Sequence, residues 1–79
     1  MTDLKGTLAN IARAIVDSPE DVVVTVTEET ENTISLKLSV ATGDMGKVIG
    51  KHGKIAKAIR QLMKAAANGT GKKVTIDIE

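Results

Sequence analysis

The sequence predicts an α+β fold in the order α-β-β-α-α-β, a three-stranded sheet with its helices packed on one face. Three observations carry this. Ile34, Leu36, Leu38 and Val40 alternate with polar residues, as do Val74, Ile76 and Ile78 near the C-terminus. Strict alternation marks a strand with one buried face. Residues 22–27 (Val-Val-Val-Thr-Val-Thr) are β-branched throughout, the composition of a further strand. Apolar residues at helical spacing fill most of the remaining chain. Because the strands alternate instead of being apolar on both sides, the helices are expected on a single face.

The elements follow in order. Asp3 or Thr2 can cap a first helix, in which Leu4, Leu8, Ile11, Ala12, Ile15 and Val16 share one face. Pro19 disfavours helical geometry at Ser18, so this helix should end near Asp17. Val22, Val24 and Val26 point one way in the first strand. Glu28 to Asn32 reads as a solvated hairpin tip, joining it antiparallel to the second strand. Thr42 or Asp44 can cap a short helix holding Met45, Val48 and Ile49, which residues 50–53 break. A second helix of this pair runs from about Lys54 to Ala67, Asn68 to Gly71 turn the chain, and residues 72–78 form the last strand. The 79 residues are expected to form a single domain over 1–79.

Composition narrows the function. A domain this short buries only about 60% of its unfolded surface and leans on a partner, ligand or staple. There is no cysteine, hence no disulfide, thiolate nucleophile or thiolate metal site. The one histidine excludes any site that needs two. Without Phe, Tyr or Trp there is no aromatic platform on which to stack bases. No segment approaches the ~18 apolar residues of a membrane span, and the N-terminus lacks a signal-peptide pattern, so a cytoplasmic protein is expected.

The net charge of +1 conceals a division along the chain. Residues 1–43 hold three bases against seven acids, whereas residues 44–73 hold eight bases against one acid, Asp44. A basic half suggests a localised surface for a polyanion, and it is also what a lysine-rich solvated helix face looks like.

The informative stretch is Lys47-Val48-Ile49-Gly50-Lys51-His52-Gly53-Lys54-Ile55. Gly50 and Gly53 lie three apart between two helices, with lysines in and beside the turn. Glycine permits positive φ and close approach of another backbone, and the amides opening the next helix favour an anion. Lys51 adds a full charge at the loop, flanked by Lys47 and Lys54. The result is a cradle for the successive phosphates of a strand. Gly43-Asp44-Met45-Gly46 repeats the G-x-x-G spacing but carries an acid and precedes the helix instead of linking two. A Walker loop fails on spacing, and no G-x-G-x-x-G exists.

Val48-Ile49-Gly50-Lys51-His52-Gly53 followed by Ile55 resembles the V-I-G-K-x-G-x-x-I core of KH domains, and the element order matches their prokaryotic, type II arrangement. From Asp44 through Arg60 the chain resembles the bacterial KhpA family of small stand-alone KH proteins. The resemblance implies a clamp on about four nucleotides of single-stranded RNA by their backbone, made by Gly50, Lys51, His52 and Gly53. Bases would then lie in an apolar groove that includes Val48, Ile49, Ile55 and a hairpin residue such as Leu38. His52, at the unspecified position of the pattern, is an exposed loop residue or a donor to phosphate. The resemblance also implies dimerisation, pairing with a larger KhpB-type partner, RNA chaperoning, and a setting in cell shape and cell-wall growth. No cofactor, metal, membrane or small-molecule substrate is expected.

The last helix carries a stripe centred on Ile55, Ile59, Leu62 and Ala66, widened by Met63 and by alanines. The excess width is either good helix formers at its edges or a dimer or partner surface near Leu62, Met63 and Ala66. Lys57, Arg60 and Lys64 gather opposite, extending an RNA path or forming a solvated face. The leading expectation is therefore a non-catalytic single-stranded RNA binder. The alternative is a protein-interaction adaptor that works by homo- or heterodimerisation. An RNA-cleaving enzyme fits poorly, since the loop has one histidine and one carboxylate near it and no metal-binding cluster.

Overall fold

The computed structural model describes residues 3–79. Helix α1 spans Leu4–Ile15, strands β1 and β2 span Val23–Glu29 and Thr33–Ser39, helices α2 and α3 span Met45–Ile49 and Lys54–Ala67, and strand β3 spans Lys73–Ile78. Single 3-10 turns precede β1, α2 and α3. The sheet order is β1-β2-β3, with β2 antiparallel to β1 and parallel to β3. A parallel pair needs a long crossover, and here that crossover is α2, the glycine loop and α3.

Asp3 caps α1, its carboxylate accepting from the Gly6 N–H at 3.0 Å; Thr2 lies outside the described residues. Helix α1 stops at Ile15, two residues before the expected end, and Val16 is already extended. The three-residue turn Pro19–Asp21 then places proline where its missing N–H costs nothing.

Along β2, Ile34, Leu36 and Leu38 are buried and the residues between them half-buried, as alternation requires. They pack with Leu8, Val48, Ile59 and Met63 into one core under the helices. On β1 the alternation is interrupted. Val26 pairs with Leu36 and Glu28 with Ser35, so Thr27 is an extra residue in a β-bulge. Unbroken alternation would turn Glu28 toward the core after Val24 and Val26. The bulge sets Glu28 opposite Ser35 on the outer face instead and brings Glu29 opposite Ile34. From there Glu29 accepts from Lys72 Nζ. This corrects the expected solvated tip: β1 continues through Glu29, and one of its acids is paired with the basic half of the chain. The turn itself is Thr30 to Asn32, where the Thr30 hydroxyl accepts from the Asn32 and Thr33 N–H groups at 3.2 and 3.0 Å.

Candidate nucleic-acid interface

Helix α2 ends because Gly50 takes φ 75° and ψ 174°, a conformation closed to other residues. Space imposes the same choice. A Cβ at Gly50 would lie 2.6 Å from Ile55 Cγ1 and 3.0 Å from the Ile55 backbone nitrogen. The turn closes with Gly53 N–H donating to the Gly50 carbonyl at 3.2 Å. His52 (φ 57°) and Gly53 (φ 73°) are both left-handed, and His52 is the only non-glycine residue in that region among those described. Gly53 is the N-cap of α3 and has no side chain with which to cap it, and the first turn of α3 contains no acid. The positive end of a fourteen-residue helix therefore opens directly behind the loop.

Lys51, His52 and Lys54 are exposed around this turn, and Lys57 follows one turn along α3. Among the described residues none of these lysines forms an ion pair. Lys47 differs. Its Nζ lies 2.9 Å from Asp17 Oδ2, and the hydrogen bond and charge of Asp17 hold its ammonium above the ordinary value.

Asp44 also departs from expectation. It occupies the N-cap position of α2 but makes no side-chain capping bond. Its carboxylate, 4% exposed, instead accepts from the backbone N–H groups of Asp17 (3.2 Å) and Ser18 (3.0 Å). A buried carboxylate needs such partners, and these fasten the end of α1 to the start of α2.

Helix α3 presents three faces. Ala56, Ile59, Met63 and Ala67 are buried, with Ala66 half-buried beside them. Lys57, Arg60, Gln61 and Lys64 face β3 across a groove of about 300 Å³, whose other wall is Val74, Thr75 and Ile76. Arg60 Nε donates to the Ile76 carbonyl at 3.3 Å, bridging helix and strand. The third face leaves Leu62 56% and Ile55 37% exposed, with Ala58 and Ala65 also exposed.

Several expected site residues thus fall in the core. Val48 and Leu38 are fully buried and hold up the site instead of lining it. Met63 is fully buried as well, so it is no part of an exposed partner surface, and Leu62 is the residue of that trio that stands out. Ile49 and Ile55, each 37% exposed, remain the apolar rim beside the loop. The β3 wall of the groove was missed by sequence reasoning. The signal for it was the gathering of Lys57, Arg60 and Lys64 on one helix face. A larger cleft of about 730 Å³ is lined by Leu4, Val26 and Ile34 among others and includes no residue of the loop.

The KhpA/KhpB KH-domain family matches residues 5–78. The RNA-binding protein KhpA of Clostridium acetobutylicum is 51% identical over 76 residues, covering 95% of this chain and 99% of its own length. That of Listeria monocytogenes is 49% identical over 71 residues, covering 90% and 92%. That of Bacillus subtilis is 46% identical over 80 residues, covering 99% and 98%. With the α-β-β-α-α-β order and the glycine turn between α2 and α3, the chain belongs to the KhpA/KhpB family of KH domains.

Proposed function

We propose that this protein is a non-catalytic RNA-binding module that grips single-stranded RNA by its backbone at Gly50-Lys51-His52-Gly53. The observation that carries the reading is the loop itself: two glycines at positive φ, a helix start with no side-chain cap behind them, and Lys51 and Lys54 with no ion-pair partner among the described residues. Phosphates supply what these groups lack. The names of the relatives, RNA-binding proteins, support the same ligand. Bases leaving the clamp would pass Ile49 and enter the α3–β3 groove, with Lys57 along its wall.

The test is binding of a labelled single-stranded RNA as a function of salt. Contact with three or four phosphates gives a slope of log affinity on log salt of about −2 to −3. The Lys51→Asp, His52→Asp double variant should keep its circular dichroism spectrum and lose binding. A folded double variant that binds like wild type would remove the clamp.

A second element of the proposal is self-association in the cytoplasm, on the exposed seam of Ile55, Ala58, Leu62 and Ala65. Leu62, 56% exposed, is a large aliphatic side chain left mostly to solvent. A homodimer would present two clamps, and an RNA that reached both would be held more tightly through effective concentration, which would suit an RNA chaperone. A KhpB-type protein is the alternative occupant of the same seam, in which case the domain works as an adaptor. Leu62→Asp should yield a folded monomer by sedimentation. A wild type that is itself monomeric at every concentration would exclude the homodimer and leave the heterologous partner.

A further inference from the structure

We infer that Asp17 is a built-in counterion that masks Lys47 from nucleic acid and thereby sets how many cations the loop region offers. The inference rests on the clamp proposed above. By sequence Lys47 belongs with Lys51 and Lys54, yet its ammonium sits 2.9 Å from the Asp17 carboxylate. Asp17 is not a free surface acid. Its own N–H, and that of Ser18, are bound by the buried carboxylate of Asp44, three positions before Lys47. The start of α2 therefore both anchors the backbone of the acid and presents the lysine that the acid neutralises. Lys47 also feels the charge of Asp44 itself. A phosphate approaching Lys47 meets an ammonium already paired with the Asp17 carboxylate, whereas Lys51 and Lys54 have no ion-pair partner among the described residues. The pair lies at the surface, with the two side chains 43% and 78% exposed. A pair so exposed adds little to stability.

The experiment is a salt titration of a short fluorescein-labelled oligouridylate against wild type, Asp17→Asn, Asp17→Asn with Lys47→Met, and Glu20→Gln. Asp17→Asn should bind more tightly, with a slope steeper by about 0.7, one further phosphate on a single strand. Its advantage over wild type then shrinks about 2.5-fold over a fourfold rise in salt. The double variant has the net charge of wild type and should lose the gain. Glu20→Gln removes the same charge from the next turn of chain and should not steepen the slope. In parallel, NMR titration of Lys47 Nζ should move toward the ordinary lysine value in Asp17→Asn. A wild-type slope in Asp17→Asn overturns the inference, as does a gain matched by Glu20→Gln or surviving in the double variant, or an unmoved Nζ. Lys51→Asp, His52→Asp separates the two readings. If it abolishes binding while Asp17→Asn leaves the slope alone, only the counterion fails. If it binds like wild type, the clamp fails, and the masking of Lys47 with it.

Discussion

Gly50 and Gly53 share a positive φ but not the same surroundings, and the difference is testable. At Gly53 a Cβ would meet nothing within 4 Å, whereas at Gly50 it would strike Ile55. Gly53→Asn, a residue that tolerates the left-handed region, should keep the fold and most RNA affinity. Gly50→Ala carries the backbone strain and the collision together, and should lose both loop geometry and binding. Equal RNA affinities for the two variants would contradict this account. Asp44 gives a second prediction. Asp44→Ala removes the charged acceptor of two part-buried backbone N–H groups, at about 1.5–3 kcal/mol for a hydrogen bond to a charged group, visible as a lowered urea midpoint. Lys47 gives a pH dependence. Its pKa is raised in the folded protein by Asp17, so the stabilisation is complete below the ordinary value of 10.5 and is lost as pH rises through the higher folded value. The alkaline decline in melting temperature should therefore be shallower in Asp17→Asn, by the small margin that an exposed, solvent-screened pair allows.

At the level of the element, α3 shows what periodicity delivers and where it stops. Its limits, 54 to 67, were legible, because Gly53 and the Asn68-to-Gly71 turn bound a regular apolar repeat. Its orientation was not. The large aliphatics Ile55, Ile59 and Leu62 place the centre of the stripe about 75° from the face that is actually buried, Ala56, Ile59, Met63 and Ala67. A helix apolar on two adjoining faces has one averaged moment, and small alanines at 56 and 67 weigh little in it although both are buried. The bulge at Thr27 escaped for a related reason, since nothing in Val-Thr-Glu-Glu announces which residue is unpaired. Asp44 was read as a cap because capping is local, whereas its partners lie 26 and 27 residues away. The two faces of α3 should separate in mutation. Met63→Ala should cost about 2–5 kcal/mol in chemical denaturation. Leu62→Asp should leave monomer stability within about 1 kcal/mol and act on association.

Across the whole molecule, the division into acidic and basic halves is partly closed by folding. Asp17 meets Lys47 and Glu29 meets Lys72, each an acid of residues 1–43 with a base of residues 44–73. Among the described residues, the bases without an ion pair include Lys51, Lys54, Lys57 and Lys64, which run from the loop along α3. The parallel pairing of β2 with β3 joins residues far apart in the chain, Leu36 with Ile76 for one. That separation bears on when the protein becomes competent. The β1–β2 hairpin closes over a few residues and can form early on the ribosome. The crossover bearing the glycine turn leads into β3, among the later residues of this sequence to be synthesised, and α3 packs on that strand as well as on α1. Closing so long a loop is entropically costly until that strand pairs. A nascent chain thus carries residues 50–53 before it carries the strand against which α3 packs.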